Sequence, residues 1–291
     1  MVPGDLTATL ERIWWRLDRA LDERAIRFSA RVAIADAAAA GATCLVDHHE
    51  SPRAIEGSLD IIADELERAG MRGVVAYGLT ARNGGEAEWR AGLDENARFL
   101  RDNRRTWVRG LVGVHACFTV PDEALAAAAA LAREAGTGLH IHVAEDVVDR
   151  DAYQRLRRTG AIVPGSVYAH AVHLGPGEIR ALADAGGWLV SNPRSNRGNG
   201  VGYARLGTAG DSVALGTDGW DGDLGAEAHA LREIAAVEGD AVDVAARIEA
   251  GRRMARAWFG DAPARPRAEP YDEGEARAEA DRLFARMQEL E

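Results

Sequence analysis

The chain has 291 residues, 47% of them hydrophobic, with 46 acidic against 35 basic side chains and a formal net charge of −11, which provides apolar material for one large folded unit or two small ones. The acidic excess disfavours binding to a phosphate backbone, and no run approaches the ~20 uninterrupted apolar residues of a membrane span, so small molecules are expected as partners rather than nucleic acid or membrane. Every basic residue is Arg, which removes Lys as a Schiff base or general base, and Cys44 and Cys117 sit in apolar runs as structural thiols of a reducing, cytoplasmic setting.

A helix over about Leu6–Ala40 is expected to open the chain. Short apolar runs then alternate with stretches of helical period. The strand candidates are TCLVDHH (43–49), RGVVAYGLT (72–80), VRGLVGVHACFT (108–119), GLHIHVAE (138–145), SVYAHAVH (166–173), WLVSN (188–192) and SVALGTDG (212–219). Between them, SLDIIADELERAG carries an apolar stripe at Leu59, Ile62, Ala63, Leu66 and Ala69 closed by Gly70, and PDEALAAAAALAREAG runs from Pro121 to Gly136. Strands apolar on both faces and alternating with helices predict a parallel sheet covered by helices. Asp223 is expected to cap the helix after the last strand, and Trp14 and Trp15 to anchor the first helix. Beyond Gly260 the sequence is Pro-rich and polar, followed by an amphipathic helix from Glu275 to about Leu290. The division is therefore 1–260 as a barrel and 261–291 as linker and terminal helix.

The polar residues choose between an open sheet and a barrel. They collect at the C-terminal ends of the strands: His48 and His49, His115, His142 with Glu145, His170 with His173, Asn192, then Asp218. In a closed barrel those ends converge on one mouth, whereas an open sheet would string them along a line. The expectation is an incomplete TIM-like (β/α)8 barrel, with seven strands visible and the first one missing.

His140 and His142 share a face of their strand, and His142, nearer the strand end, is the one that reaches the mouth. Together with His170 on the next strand and Asp218 after the last, it offers imidazole and carboxylate donors suited to one divalent ion, zinc first and iron second. Water bound to such an ion falls in pKa from ~15.7 to about 7, and Glu145 is close enough in sequence to manage its proton. His140 fits a core or supporting place, and His173 and His229 are given no role.

The segments HIHVAED, VYAHAVHL, SNPRSN and LGTDG resemble, in order and spacing, the amidohydrolase superfamily in its cytosine/guanine deaminase and chlorohydrolase branch. LERIWWRLDRALDE, VDHHESP, GSLDIIADELERAGMRGVVAYGLT and GVHACFTV extend the likeness to the SsnA-type aminohydrolases, from about Leu10 to Gly260. The resemblance implies a metal-dependent barrel with a flanking β-sandwich. It makes His142 and Asp218 metal ligands, Glu145 the acid/base, and His170 either a ligand or the holder of the nucleophilic water. His115, Asn192, Ser195 and Asn196 would line the substrate pocket. The chain departs from the family in lacking the first strand, which bears a His-x-His ligand pair, and the sandwich. His48 or His49 could turn towards the vacant ligand positions, or contact substrate instead.

A missing strand leaves two unpaired edges, and each stranded backbone group costs about 1–3 kcal/mol against a total stability of ~5–15. Three remedies are expected: a covering partner such as a second copy, a helix moved into the breach, or an open reading frame begun too late. The functional expectation is a metal-dependent hydrolase of non-peptide C–N bonds that deaminates an aminated heterocycle. The alternative is a catalytically degenerate barrel acting as a binding or assembly subunit.

Overall fold

The computed structural model describes residues 6–261, 266–267 and 270–290. Its strands are β1 (Cys44–His49), β2 (Arg72–Tyr77), β3 (Val108–Gly110), β4 (Val112–Ala116), β5 (Leu139–Val143), β6 (Val167–His170), β7 (Trp188–Ser191) and β8 (Val213–Leu215). All pairings are parallel and follow chain order, β1-β2-β3 in one sheet and β4-β5-β6-β7-β8 in the next. β3 and β4 are the two halves of the run expected at 108–119, bent at Leu111: the first half pairs with β2 and the second with β5, and a Leu79–Val114 bridge carries the sheet across the bend. Counted as one strand, they give the seven expected.

The helices are α1 (Leu6–Thr9), continued by a wide turn over Leu10–Trp14 into α2 (Trp15–Ala20), then α3 (Glu23–Ala39), α4 (Ser58–Arg68), α5 (Glu86–Asp102), α6 (Asp122–Glu134), α7 (Ala152–Arg158), α8 (Pro176–Asp184), α9 (Pro193–Asn199), α10 (Leu224–Val237), α11 (Val244–Phe259) and α12 (Glu273–Gln288). The single helix expected over Leu6–Ala40 is thus broken. Leu21 is extended and Asp22 accepts the N–H of Ala25 at 3.0 Å, starting a new helix as its N-cap. Arg282 of α12 donates to both Asp22 oxygens at 2.9 Å, so the break is also where the C-terminal helix docks. The linker expected after Gly260 lies in part outside the described residues.

Two apolar layers surround the strands. Outside, Ile141, Val143, Tyr168, Leu189 and Val213 pack with Leu125, Ala128, Leu156, Ile179 and Leu182 from the helices. Inside, Val46, Val74, Ala76, Leu111, Val167, Val190 and Ala214 meet Ala250, Met254, Trp258 and Phe259 of α11. Of the three remedies expected for the breach, the helix is met only in part. Among the described residues β1 pairs only with β2 and β8 only with β7, and α11 packs against β8 and reaches the barrel interior. The gap is not filled, however. A cavity of about 1040 Å³ follows it, lined by β1, by Leu215–Gly219 and by α11, and opens upward to the strand ends.

Candidate metal centre

The register brings the donors to one level. His142 stands opposite Ala169 and Val143 opposite His170, so the inward-facing His142 and the last residue of β6 end side by side. Each ring is tied by one nitrogen: His142 Nδ1 donates to the His115 carbonyl at 2.7 Å, and His170 Nδ1 to Asn196 Oδ1 at 2.8 Å. His142 Nε2 is left for the mouth, and His170 Nε2 faces it with Asn192 Nδ2 at 3.4 Å. His170 Nε2 lies 3.6 Å from Glu145 Oε2 and 4.0 Å from Asp218 Oδ2. One donor atom each of His142, His170 and Asp218 lie within 4.8 Å of one another.

The backbone is strained where these side chains are presented. Outside glycine, the left-handed positions among the described residues are Ala144 (φ 46°), His170 (φ 69°), Ala171 (φ 54°) and Asp218 (φ 52°), all at the ends of β5, β6 and β8. Such conformations cost about 1–3 kcal/mol each and persist where the surroundings hold them, typically at functional sites. The holding groups are visible. Asp149 accepts the N–H of Ala144 at 2.9 Å and that of Phe118 at 3.0 Å, fixing the turn that carries Glu145. Ser195 Oγ donates to Asp218 Oδ2 at 2.5 Å, and Asn199 Nδ2 to Glu145 Oε1 at 3.3 Å.

Burial would lower the His170 pKa, but Glu145 and Asp218 outweigh it and raise it. Burial likewise pushes the Asp218 carboxyl up, and His170 and His142 more than reverse this, holding it below its ordinary value. Burial drives His48, His115 and His140 well below the usual imidazole range. They are neutral near pH 7, the form in which imidazole binds a metal.

The other expected residues divide. His115, at a bulge in the β4–β5 pairing, lines the cavity and bonds Thr119 through Nδ1 at 3.0 Å; Asn192 and Ser195 line it too. Asn196 lies behind His170 and orients that ring, instead of facing the pocket as expected. His49 is on the opposite face of β1, bonded to Ser51 Oγ at 2.9 Å and set against Tyr77, so the structure does not bring it to the donors. His48 does face inward, its ring centroid 4.6 Å from that of His142 and 4.8 Å from that of His140. His229 pairs with Glu233 on the exposed face of α10, and Asp223 caps that helix by accepting the Ala226 N–H at 3.0 Å. Trp14 and Trp15 line the cavity mouth, and Trp15 packs there against Arg82 and His115.

Sequence reasoning missed one cluster. Arg82 stacks over Trp15 at 4.7 Å and donates to Asp18 at 3.2 Å and to Glu50, closing one wall of the mouth. The acid following DHH was the available signal for Glu50; nothing in the sequence pairs it with Arg82.

The residues fit a divalent ion. Two imidazoles whose Nδ1 atoms are hydrogen-bonded, plus an ionised carboxylate, form a suitable donor set for zinc or iron. Donors around a tetrahedral zinc stand about 3.4 Å apart, so the set needs to draw in by roughly 1 Å.

A parallel barrel that gathers such donors at neighbouring strand ends defines a metal-binding (β/α) barrel. The chain belongs to the amidohydrolase family, whose description matches residues 4–258. It is 35% identical over 179 residues to a 5-methylthioadenosine/S-adenosylhomocysteine deaminase from Symbiobacterium thermophilum, covering 55% of this chain and 40% of that protein. It is 29% identical over 237 residues to an 8-oxoguanine deaminase from Pseudomonas aeruginosa, covering 72% and 52%. An adenosine deaminase structure from Xanthomonas campestris with bound zinc superposes with a TM-score of 0.74 at 24% identity, covering 88% of this chain and 62% of that one; this likeness shows the fold. The chain spans about half the length of the curated relatives it matches. Among the described residues no helix is long and apolar enough to cross a membrane.

Proposed function

We propose that the chain hydrolyses an exocyclic C–N bond of an aminated heterocycle of the purine class, converting C–NH₂ and water to C=O and ammonia. The observation that supports this most is the meeting of Glu145 with His170 and Asp218 on strained strand ends, since an acid beside a metal-donor set is the arrangement that water-dependent deamination needs. His142, His170 and Asp218 hold the ion, zinc in our reading, which supplies Lewis acidity when bound. Glu145, steadied by Asn199, takes a proton from the attacking water and delivers it to the departing nitrogen. Asp218 orients the water, and His115, Asn192 and Ser195 border the substrate in a cavity of ample volume. The names of the relatives, which act on adenine and guanine derivatives, support the substrate class.

The test is ammonia release from a panel of adenine and guanine derivatives by the zinc-loaded chain. Turnover that disappears in Glu145→Gln with metal retained supports the proposal; no turnover of any member at full zinc occupancy contradicts it. That second outcome favours a binding or assembly subunit without catalysis, a reading supported by the open edges of β1 and β8. We further propose a cytoplasmic protein whose open edge is covered by a second copy, for which light scattering at micromolar concentration is the check: a dimer supports it and a monomer opposes it.

A further inference from the structure

We infer that His48 is a fourth protein donor to the ion, binding from the opposite side of the gap to Asp218. The inference rests on the reading of His142, His170 and Asp218 as the ion's holders. Among the inward-facing histidines, His48 is the one with both ring nitrogens buried and neither hydrogen-bonded. Its nearest acid, Glu50 Oε1, stands off at 3.7 Å. The neighbours are satisfied at one nitrogen or more: His115 by Thr119, His142 by a backbone carbonyl and His170 by Asn196. A buried imidazole with both nitrogens unsatisfied is costly and uncommon, and an ion is a partner that removes the cost for a ring already held neutral.

The distances agree. A ring centroid lies roughly 3 Å from an ion bound through its nitrogen, so two imidazoles sharing one ion stand about 5 Å apart. His142 and His170 are separated by 5.4 Å and His48 and His142 by 4.6 Å. The backbone also makes room for this ring. As it stands, His48 Nε2 packs against Gly78, where a Cβ would lie 2.2 Å from it, so the ring turns to reach the ion. On its other side His48 borders the open cavity along β1, so it can turn without breaking a hydrogen bond or displacing the apolar core. The consequence is mechanical as well as chemical. β1 and β8 are the unpaired edges of the barrel, and an ion held by His48 from one and by Asp218 just beyond the other cross-links them.

The test uses the full chain stripped of metal and loaded with Co²⁺ or Zn²⁺. In the Co²⁺-loaded wild type, proton NMR is expected to show contact-shifted imidazole N–H signals from three histidines, and two would overturn the assignment. His48→Asn and His48→Ala are expected to weaken metal affinity at least about 100-fold in chelator competition and to change the visible spectrum of bound Co²⁺, with far-UV circular dichroism unchanged. Wild-type affinity and spectrum in both variants, alongside metal loss in His142→Ala, would overturn the role of His48 and leave the three-residue site standing. A wild type that takes up no metal would sink that underlying reading instead.

Discussion

Changing Asn196 to Ala removes the group that fixes His170. His170 is fully buried, its Nδ1 donates to Asn196 Oδ1 at 2.8 Å, and its Nε2 faces Glu145 and Asp218. The other amide nearby is Asn192 Nδ2, 3.4 Å away, which is itself a donor and cannot accept the proton. The substitution therefore strands a buried N–H, at about 1–3 kcal/mol, and frees the ring to adopt the tautomer that blocks Nε2. Loss of an orienting partner of this kind weakens metal binding by about 10–100-fold, or ~1.4–2.7 kcal/mol. Urea unfolding of the metal-stripped chain reads the first quantity, and zinc competition against a chromophoric chelator reads the second. Asn196→Asp, which keeps an acceptor at the same place, is expected to retain zinc. Wild-type zinc affinity in Asn196→Ala would refute the reasoning, because the Nε2 donor would then be oriented by something other than this bond.

Two further outcomes are expected. Gly138→Ala places a Cβ 2.4–2.5 Å from the backbone of Gly165 and Ser166 where β5 begins beside β6, so it is expected to lower stability by about 3 kcal/mol in urea unfolding; a loss below about 0.5 would show that the strands can part there. Burial pushes Asp149 to about 7 despite its two backbone hydrogen bonds, so the folded chain keeps a proton that the unfolded chain releases near pH ~4, and stability falls as pH rises from about 4 to 7. Unfolding at pH 5 and pH 7.5 is expected to show a weaker pH dependence in Asp149→Asn than in the wild type, and equal slopes would contradict it.

What the sequence disclosed followed from periodicity and from the placement of polar residues. β-branched runs set the strands, and the residues that interrupt them at one end, His142, His170 and Asp218, are those whose donor atoms come within 4.8 Å. Asp223 was legible because capping is a local interaction. The break at Leu21–Asp22 was not, since helical period runs on across it and the Arg282 that holds Asp22 lies far along the chain. Nor was the entry of α11 into the barrel: Ala250, Met254 and Trp258 read as an ordinary helix stripe, and only the gap beside β8 gives that stripe an inner surface to cover. Asn196 is assigned to the pocket by the family resemblance, but a helical turn swings its side chain behind His170. The Trp15–Arg82–Glu50 wall depends on contacts between distant segments, which periodicity does not encode.

The central claim is that β5, β6 and β8 hold one divalent ion among His142, His170 and Asp218. Calorimetric titration of Zn²⁺ into the stripped, folded chain tests it most directly. The expected isotherm has a single tight site per chain that vanishes in His142→Ala; a folded wild type that evolves no binding heat and retains no zinc after gel filtration would contradict it.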